Sequence, residues 1–223
     1  MNLQPSKPIL YLITRGASTE ATTAGSPEFR QILEQVSAAV HAGIDLIQIR
    51  EKRLTARVLF ELATRASALT RGTGTRLLIN DRADIALGAG ANGVHLTTQS
   101  LNAETVRKTF GDNFLIGAST HSLAEARVAR DGGADFIVFG PVFETVSKPD
   151  YGAPVGVERL AQVARELTGF PVLALGGITS ETGARCLEAG AAGIAGIGLF
   201  SRTDELRSIV CAMRQDGVTS NGD

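Results

Sequence analysis

Three long polar side chains, Gln48, Arg50 and Lys52, recur at every second residue in Asp45-Leu46-Ile47-Gln48-Ile49-Arg50-Glu51-Lys52. On an extended strand the period of two turns them to one face, while Ile47 and Ile49 take the other. A guanidinium grips phosphate oxygens in pairs and an ammonium adds a compact charge, so this face suits a diphosphate. A second polar cluster, Asn80-Asp81-Arg82, follows the apolar run Leu77-Leu78-Ile79. Asp81 is a candidate Mg²⁺ ligand, because Mg²⁺ takes one or two carboxylates and shares its other positions with water and phosphates. An aspartate capping the following helix explains the residue equally well. A buried ion-pair layer with Glu51 or Asp81 is the structural alternative for Arg50 and Lys52. Such a layer does not need donors so far in excess of acceptors.

Further candidates lie downstream. In Gly117-Ala118-Ser119-Thr120-His121-Ser122, Ser119 and His121 share a strand face, bringing a hydroxyl and an imidazole to one place. His121 suits a general base or proton shuttle, since histidine titrates near neutrality. An oriented structural histidine fits as well, with Ser122 as the cap of the next helix. Thr145, Ser147 and Lys148 set two hydroxyls and an ammonium on one loop, suited to closing over an anion. Gly176-Gly177 and Gly196-Ile197-Gly198 let the backbone approach a ligand, and a helix starting near Ser180 presents free N–H groups to a phosphate. His41 and His95 read as structural.

Short apolar runs alternate with helical periodicity along the whole chain, and these elements must place the candidates. Strands are expected at Ile9–Thr14, Asp45–Arg50, Arg76–Asp81, Gly93–Thr98, Phe114–Thr120, Phe136–Val142, Pro171–Gly177 and Gly193–Phe200. Helices are expected at Glu28–Ala42, Thr55–Thr70, Ala103–Phe110, Ser122–Asp131, Val157–Leu167, Ser180–Ala189 and Glu205–Arg214, with Ala83–Ala89 a short third connection. Eight strands each followed by a helix define a single-domain (β/α)₈ TIM barrel over residues 1–223, all strands parallel. An open doubly wound sheet would not need inward-facing alternation on every strand. Residues 1–8 and 216–223 are expected as disordered extensions. Ala42-Gly43, Ala89-Gly90 and Ala189-Gly190 mark helix ends on the face opposite the polar residues. Arg15 to Pro27 and Phe143 to Gly156 are long enough to serve as lids over the mouth.

The composition narrows the function classes. The chain has 223 residues, 43% of them hydrophobic and 20% charged, and a net charge of −1. That balance gives no electrostatic reason for a nucleic-acid or anionic-membrane partner. No stretch approaches the ~18 apolar residues of a membrane span, and Met1 to Pro8 has no signal-peptide pattern. Cys186 and Cys211 are too isolated for a disulfide framework or a zinc site and read as buried or half-buried thiols. A cytoplasmic enzyme acting on small molecules is expected, with a homo-oligomer left open.

These motifs resemble one family over nearly the whole chain, the thiamine-phosphate synthases with their relatives the TenI-type thiazole tautomerases. The resemblance rests on Gln48-Ile49-Arg50-Glu51-Lys52, Asn80-Asp81-Arg82, Gly93-Val94-His95-Leu96, Gly117-Ala118-Ser119-Thr120-His121, Gly140-Pro141-Val142-Phe143, Thr145 to Lys148 and Gly176-Gly177-Ile178. It implies a magnesium-dependent transferase of thiamine biosynthesis. A hydroxymethylpyrimidine diphosphate loses pyrophosphate, and a thiazole phosphate captures the resulting cation to give thiamine phosphate. The resemblance assigns Gln48, Arg50, Glu51, Lys52, Asn80, Ser119 and Lys148 to the pyrimidine diphosphate. Thr145, Val146, Ser147, Gly177, Ile197 and Gly198 fall to the thiazole phosphate, and Asp81 to Mg²⁺. Arg50, Lys52, Ser119, Lys148 and His121 are the catalytic candidates.

The chain departs from the synthase pattern at two places. Ser100 stands where synthases usually carry a second metal-binding Asp, and Gly198 where the last strand usually ends in Ser. Ser100 and Phe143-Glu144-Thr145 also fit the tautomerases, which shift a proton on a thiazole carboxylate phosphate and carry a catalytic histidine at His121. A non-catalytic sensor of thiamine precursors is the third reading.

Overall fold

The computed structural model describes residues 7–144 and 154–215. Eight parallel strands close in sequence order into a barrel, with β1 (Ile9–Ile13) pairing both β2 (Leu46–Ile49) and β8 (Gly193–Gly196). Between these lie β3 (Arg76–Asn80), β4 (Gly93–Leu96), β5 (Leu115–Thr120), β6 (Phe136–Phe139) and β7 (Val172–Ala174). Around them run α1 (Pro27–Ala42), α2 (Ala56–Thr70), α3 (Ala83–Gly88), α4 (Ala103–Phe110), α5 (Leu123–Asp131), α6 (Val157–Glu166), α7 (Ser180–Glu188) and α8 (Leu206–Gln215). The TIM barrel and its element order match the sequence expectation. Most strands stop short of the expected ends, notably β4 at Leu96, β6 at Phe139, β7 at Ala174 and β8 at Gly196. Beyond them Thr97, Thr98, Gly140, Pro141, Leu175, Gly176 and Ile197 line the mouth as loop instead of continuing the strands. Residues 1–6 and 216–223, expected as extensions, lie outside the described residues.

Alternation along each strand divides the core in two. Ile47, Ile49, Leu77, Ile79, Val94 and Ile116 face the helices and join the outer layer with Phe29, Leu62 and Val106. Ile9, Tyr11, Ile13, Leu46, Leu78, Leu115, Phe136, Val138 and Leu173 fill the inside of the barrel. Large rings inside are matched by missing side chains. A Cβ on Gly117 would stand 2.4 Å from Phe136 Cζ and 2.8 Å from His95 Nδ1, and one on Gly93 would stand 1.8 Å from the Leu115 carbonyl oxygen. At least one helix end closes as its alanine–glycine pair suggests. Gly43 takes φ 81° and its N–H reaches the carbonyls of Ala39 and Val40, a left-handed cap that costs a glycine nothing.

The helix-to-strand end is tied by two arginine–aspartate clasps. Asp45 accepts from the Leu10 N–H (2.9 Å) and from Arg214 (3.1 Å). Asp135 accepts from the Ile116 N–H (2.7 Å) and from Arg107 (2.7 Å). Charge at this end therefore holds strands and helices in register. Gly93→Ala forces a methyl group against the backbone of β5 and should lower unfolding free energy by ~3 kcal/mol, the upper end of what overpacking costs. Gly74→Ala meets nothing within 4 Å and should leave stability unchanged or raise it by up to ~1 kcal/mol. Urea denaturation midpoints of the two variants check the contrast.

Candidate active site

The strand C-termini open onto a cavity with an apolar floor and a polar wall. Ile13, Val138, Pro141, Leu175 and Ile197 form the apolar side, while Gln48, Arg50, Lys52, Asn80, His95, Thr97, Ser119 and His121 line the rest. Gln48, Arg50 and Lys52 thus share one face, as period two requires. The Arg50 N–H donates to Thr14 Oγ1 at 2.8 Å, tying the end of β2 to β1. Glu51, between the two cations, points elsewhere. Its buried carboxylate accepts from the N–H groups of Gly16 (3.1 Å) and Ser18 (3.0 Å) and from the Ser18 hydroxyl (2.6 Å). There it orders the first strand-to-helix loop and does not line the cavity. Neither Arg50 nor Lys52 forms an ion pair among the described residues, so the ion-pair layer is not found there.

At β3 the hydrogen bonds have a fixed direction. A carboxylate can only accept, so Asn80 Nδ2 donates to Asp81 Oδ2 (2.6 Å), and Asn80 Oδ1 accepts from Gln48 Nε2 (3.1 Å). Asp81 is exposed and has φ 60°, a left-handed conformation that Asp and Asn adopt more readily than other residues with a Cβ. Its Oδ1 accepts from Ser100 Oγ and from Thr97 Oγ1 at 3.3 Å. Ser100 therefore stands directly against the carboxylate. Asp81 does not cap α3, whose N-cap is Arg82 without a side-chain bond. Arg82 itself pairs with Asp84 at 2.5 Å and does not line the cavity. One carboxylate flanked by two hydroxyls is a hard-oxygen set, unsuited to softer metals. Among the described residues no group of three or more His, Cys, Asp or Glu is placed to hold a metal.

Ser119 and His121 both reach the cavity from β5 and the residue after it. His121 Nδ1 bonds the Gly140 carbonyl oxygen. A carbonyl only accepts, so in the neutral ring the proton sits on Nδ1 and Nε2 is the basic nitrogen. Ser122 caps α5, accepting from the Glu125 N–H at 3.2 Å. Sequence reasoning missed His95 as a site residue. It is buried, lines the cavity and bonds Ser119 Oγ at 2.9 Å through Nε2 and the Tyr11 hydroxyl at 3.1 Å through Nδ1. Burial, outweighing the upward pull of Asp81 and helped to a lesser degree by Arg50, holds its pKa down to about 4. The same strand parity places Gly93 and His95 inward, and that was the available signal.

The glycine sites are only partly in the cavity. Gly176 and Ile197 line it; Gly177 and Gly198 follow them in the chain without lining it. Gly177, at φ 63°, packs where a Cβ would lie 2.5 Å from the Glu144 carbonyl oxygen. The helix expected near Ser180 is α7, whose first turn is closed by a reciprocal cap between Thr179 and Thr182. Thr145, Val146, Ser147 and Lys148 lie outside the described residues. Cys186 is buried, with its thiol pushed up to about 11 by burial, whereas Cys211 is exposed, contrary to expectation. Among the described residues no helix is long and apolar enough to cross a membrane.

A closed barrel with cations and hydroxyls at its C-terminal mouth, over an apolar floor, has the architecture of a barrel enzyme that acts on small molecules. Residues 10–200 match the family described as thiamine monophosphate synthase, and the chain belongs to that family. It is 47% identical over 186 residues to a protein of Geobacter sulfurreducens provisionally named thiamine-phosphate synthase, covering 83% of each chain. It is 39% identical to the thiamine-phosphate synthase of Roseiflexus sp., covering 84% of this chain and 75% of that one. Among solved structures it superimposes on the thiamine phosphate pyrophosphorylase of Pyrococcus furiosus with a TM-score of 0.74 and 31% identity, covering 92% of this chain and 96% of that one.

The buried imidazole makes stability depend on pH. Its folded pKa of about 4 lies below the ordinary 6.5, so between these values the unfolded chain binds the proton and the folded chain does not. The contribution is complete above pH 6.5 and is lost as pH falls towards 4, amounting to ~3 kcal/mol. His95→Gln should flatten this limb of the stability–pH curve, measured by denaturation at successive pH values. An unchanged slope would show that His95 is protonated in the folded barrel.

Proposed function

We propose that this protein is a thiamine-phosphate synthase, a cytoplasmic transferase that joins hydroxymethylpyrimidine diphosphate to thiazole phosphate. The observation that carries this reading is the convergence of Gln48, Arg50, Lys52, Asn80 and Ser119 on one cavity with an apolar floor. The floor of Ile13, Val138 and Leu175 suits flat heterocycles, and the cationic wall suits a diphosphate. In the reaction the carbon–oxygen bond to the diphosphate breaks and its electron pair leaves with pyrophosphate. The thiazole nitrogen then forms the new carbon–nitrogen bond with its lone pair. Such an ionisation needs fixed positive charge and hydrogen-bond donors where negative charge develops. Arg50 and Lys52 supply charge, and Ser119 supplies a donor. Lys148 would add further charge. Thr145, Val146, Ser147, Gly177, Ile197 and Gly198 are assigned to the thiazole phosphate.

Mg²⁺, when bound, would neutralise the departing diphosphate. Asp81 would hold it, with the hydroxyls of Ser100 and Thr97 and the substrate's own oxygens completing a hard-oxygen set. The contact between Ser100 and Asp81 makes this testable. Ser100→Asp would set two carboxylates against each other, a repulsion that a divalent cation relieves. The variant should be less stable than the parent without Mg²⁺ and should gain more in melting temperature on adding it. Equal gains in the two proteins would remove Asp81 from the metal site.

One observation keeps the tautomerase reading in view. His121 faces the cavity with its proton fixed on Nδ1, which leaves Nε2 suited to proton transfer. Incubation with both substrates and Mg²⁺ should release pyrophosphate and form thiamine phosphate. Arg50→Ala should reduce kcat by ~10²–10³, while His121→Ala should retain most of the activity. Tautomerisation without coupling, lost by ~10²–10⁴ in His121→Ala, would establish the alternative. Binding without either turnover would identify a sensor.

A further inference from the structure

We infer that Tyr11, acting through His95, sets the polarity of the Ser119 hydroxyl, so that Ser119 meets its ligand as a hydrogen-bond donor. Tyr11 is fully buried inside the barrel among Ile9, Leu46, Leu115 and Phe136. Among the described residues its hydroxyl bonds only His95 Nδ1, at 3.1 Å. The phenol proton has nowhere else to go, so it points at Nδ1 and makes that nitrogen the acceptor. A neutral imidazole that accepts at Nδ1 carries its proton on Nε2, and Nε2 lies 2.9 Å from Ser119 Oγ. Ser119 Oγ therefore accepts from below, and its own proton turns into the cavity that it lines. The reverse order, with Ser119 donating to Nε2 and Nδ1 donating to the phenol, would leave the tyrosine proton unpartnered in the apolar interior, which native structures avoid.

The rings are held for this. Phe136 meets Tyr11 edge-on at 5.5 Å and 82°, and the missing Cβ of Gly117 leaves room beside Nδ1. Tyr11 and His95 are accordingly positioning residues. A hydroxyl already aimed as a donor stabilises charge that appears on a leaving oxygen without first reorienting. This catalytic consequence rests on the synthase reading, whereas the hydrogen-bond order does not.

Two measurements on the full chain test it. The nitrogen-15 chemical shifts of the His95 ring report the tautomer, expected as protonated Nε2 and unprotonated Nδ1. A protonated Nδ1 would overturn the inference whatever the protein catalyses. Tyr11→Phe keeps the ring and removes the donor, and is compared in two backgrounds. It should lower kcat about tenfold with little change in KM when Ser119 is present, and less than about twofold in Ser119→Ala, as expected of residues acting through one another. Equal losses in both backgrounds would make Tyr11 a packing residue and sink the proposal. A parent protein that releases no pyrophosphate while His95 reads Nε2–H would remove the synthase reading and support the hydrogen-bond order.

Discussion

A barrel of eight parallel strands encloses a space about wide enough for side chains to fill, and here the filling changes character halfway up. Ile9, Leu46, Leu115 and Leu173 make the lower interior apolar, in contact with Phe136 and Tyr11. Above them the inward positions become polar, with Gln48, Asn80, His95 and Ser119 at successive strand ends. Strand pairing fixes this ring, since Asn80 lies opposite His95 and His95 opposite Gly117. The polar groups of the mouth stand on a packed floor, and their hydrogen bonds have few ways to arrange themselves.

Two anchors set those arrangements. The Asp81 carboxylate orients Asn80 and through it Gln48, and the Tyr11 phenol orients His95. Both chains end in the cavity, so the directions in which its amides and hydroxyls can bond are decided by groups that do not line it. Glu51 does comparable work for the first loop, holding Gly16 and Ser18 beneath the cationic wall. The opposite end spends its charges on Asp45–Arg214 and Asp135–Arg107, a division between binding and stability usual for this architecture.

The barrel was legible in the sequence because eight short apolar runs alternate with helical periodicity, and period two placed Gln48, Arg50 and Lys52 together. Strand ends were not legible. Leu175, Ile197 and Phe200 extend the apolar runs as strand residues would, and only the hydrogen-bond ladder shows where pairing stops. Glu51 read as part of the ligand-binding motif, since sequence spacing does not reveal that its side chain turns under Gly16. His95 escaped for a related reason. Strand parity turns it inward, but the sequence does not show which groups it meets there, and its partner Tyr11 lies 84 residues away. In the sequence Ser100 only stands where the family pattern carries a second metal-binding Asp; its hydrogen bond to Asp81 came from the structure.

The backbone at Asp81 has a consequence for how this chain can change. Its φ of 60° admits Asp, Asn and Gly far more easily than longer or branched residues. Drift at this position is therefore funnelled towards Asn, which keeps the turn and discards the charge. A lineage could lose the carboxylate in one step without disturbing the barrel, whereas lengthening the side chain to Glu would be opposed by the backbone. The left-handed turn thus acts as an evolutionary ratchet, leaving loss of the carboxylate easy and its redesign difficult.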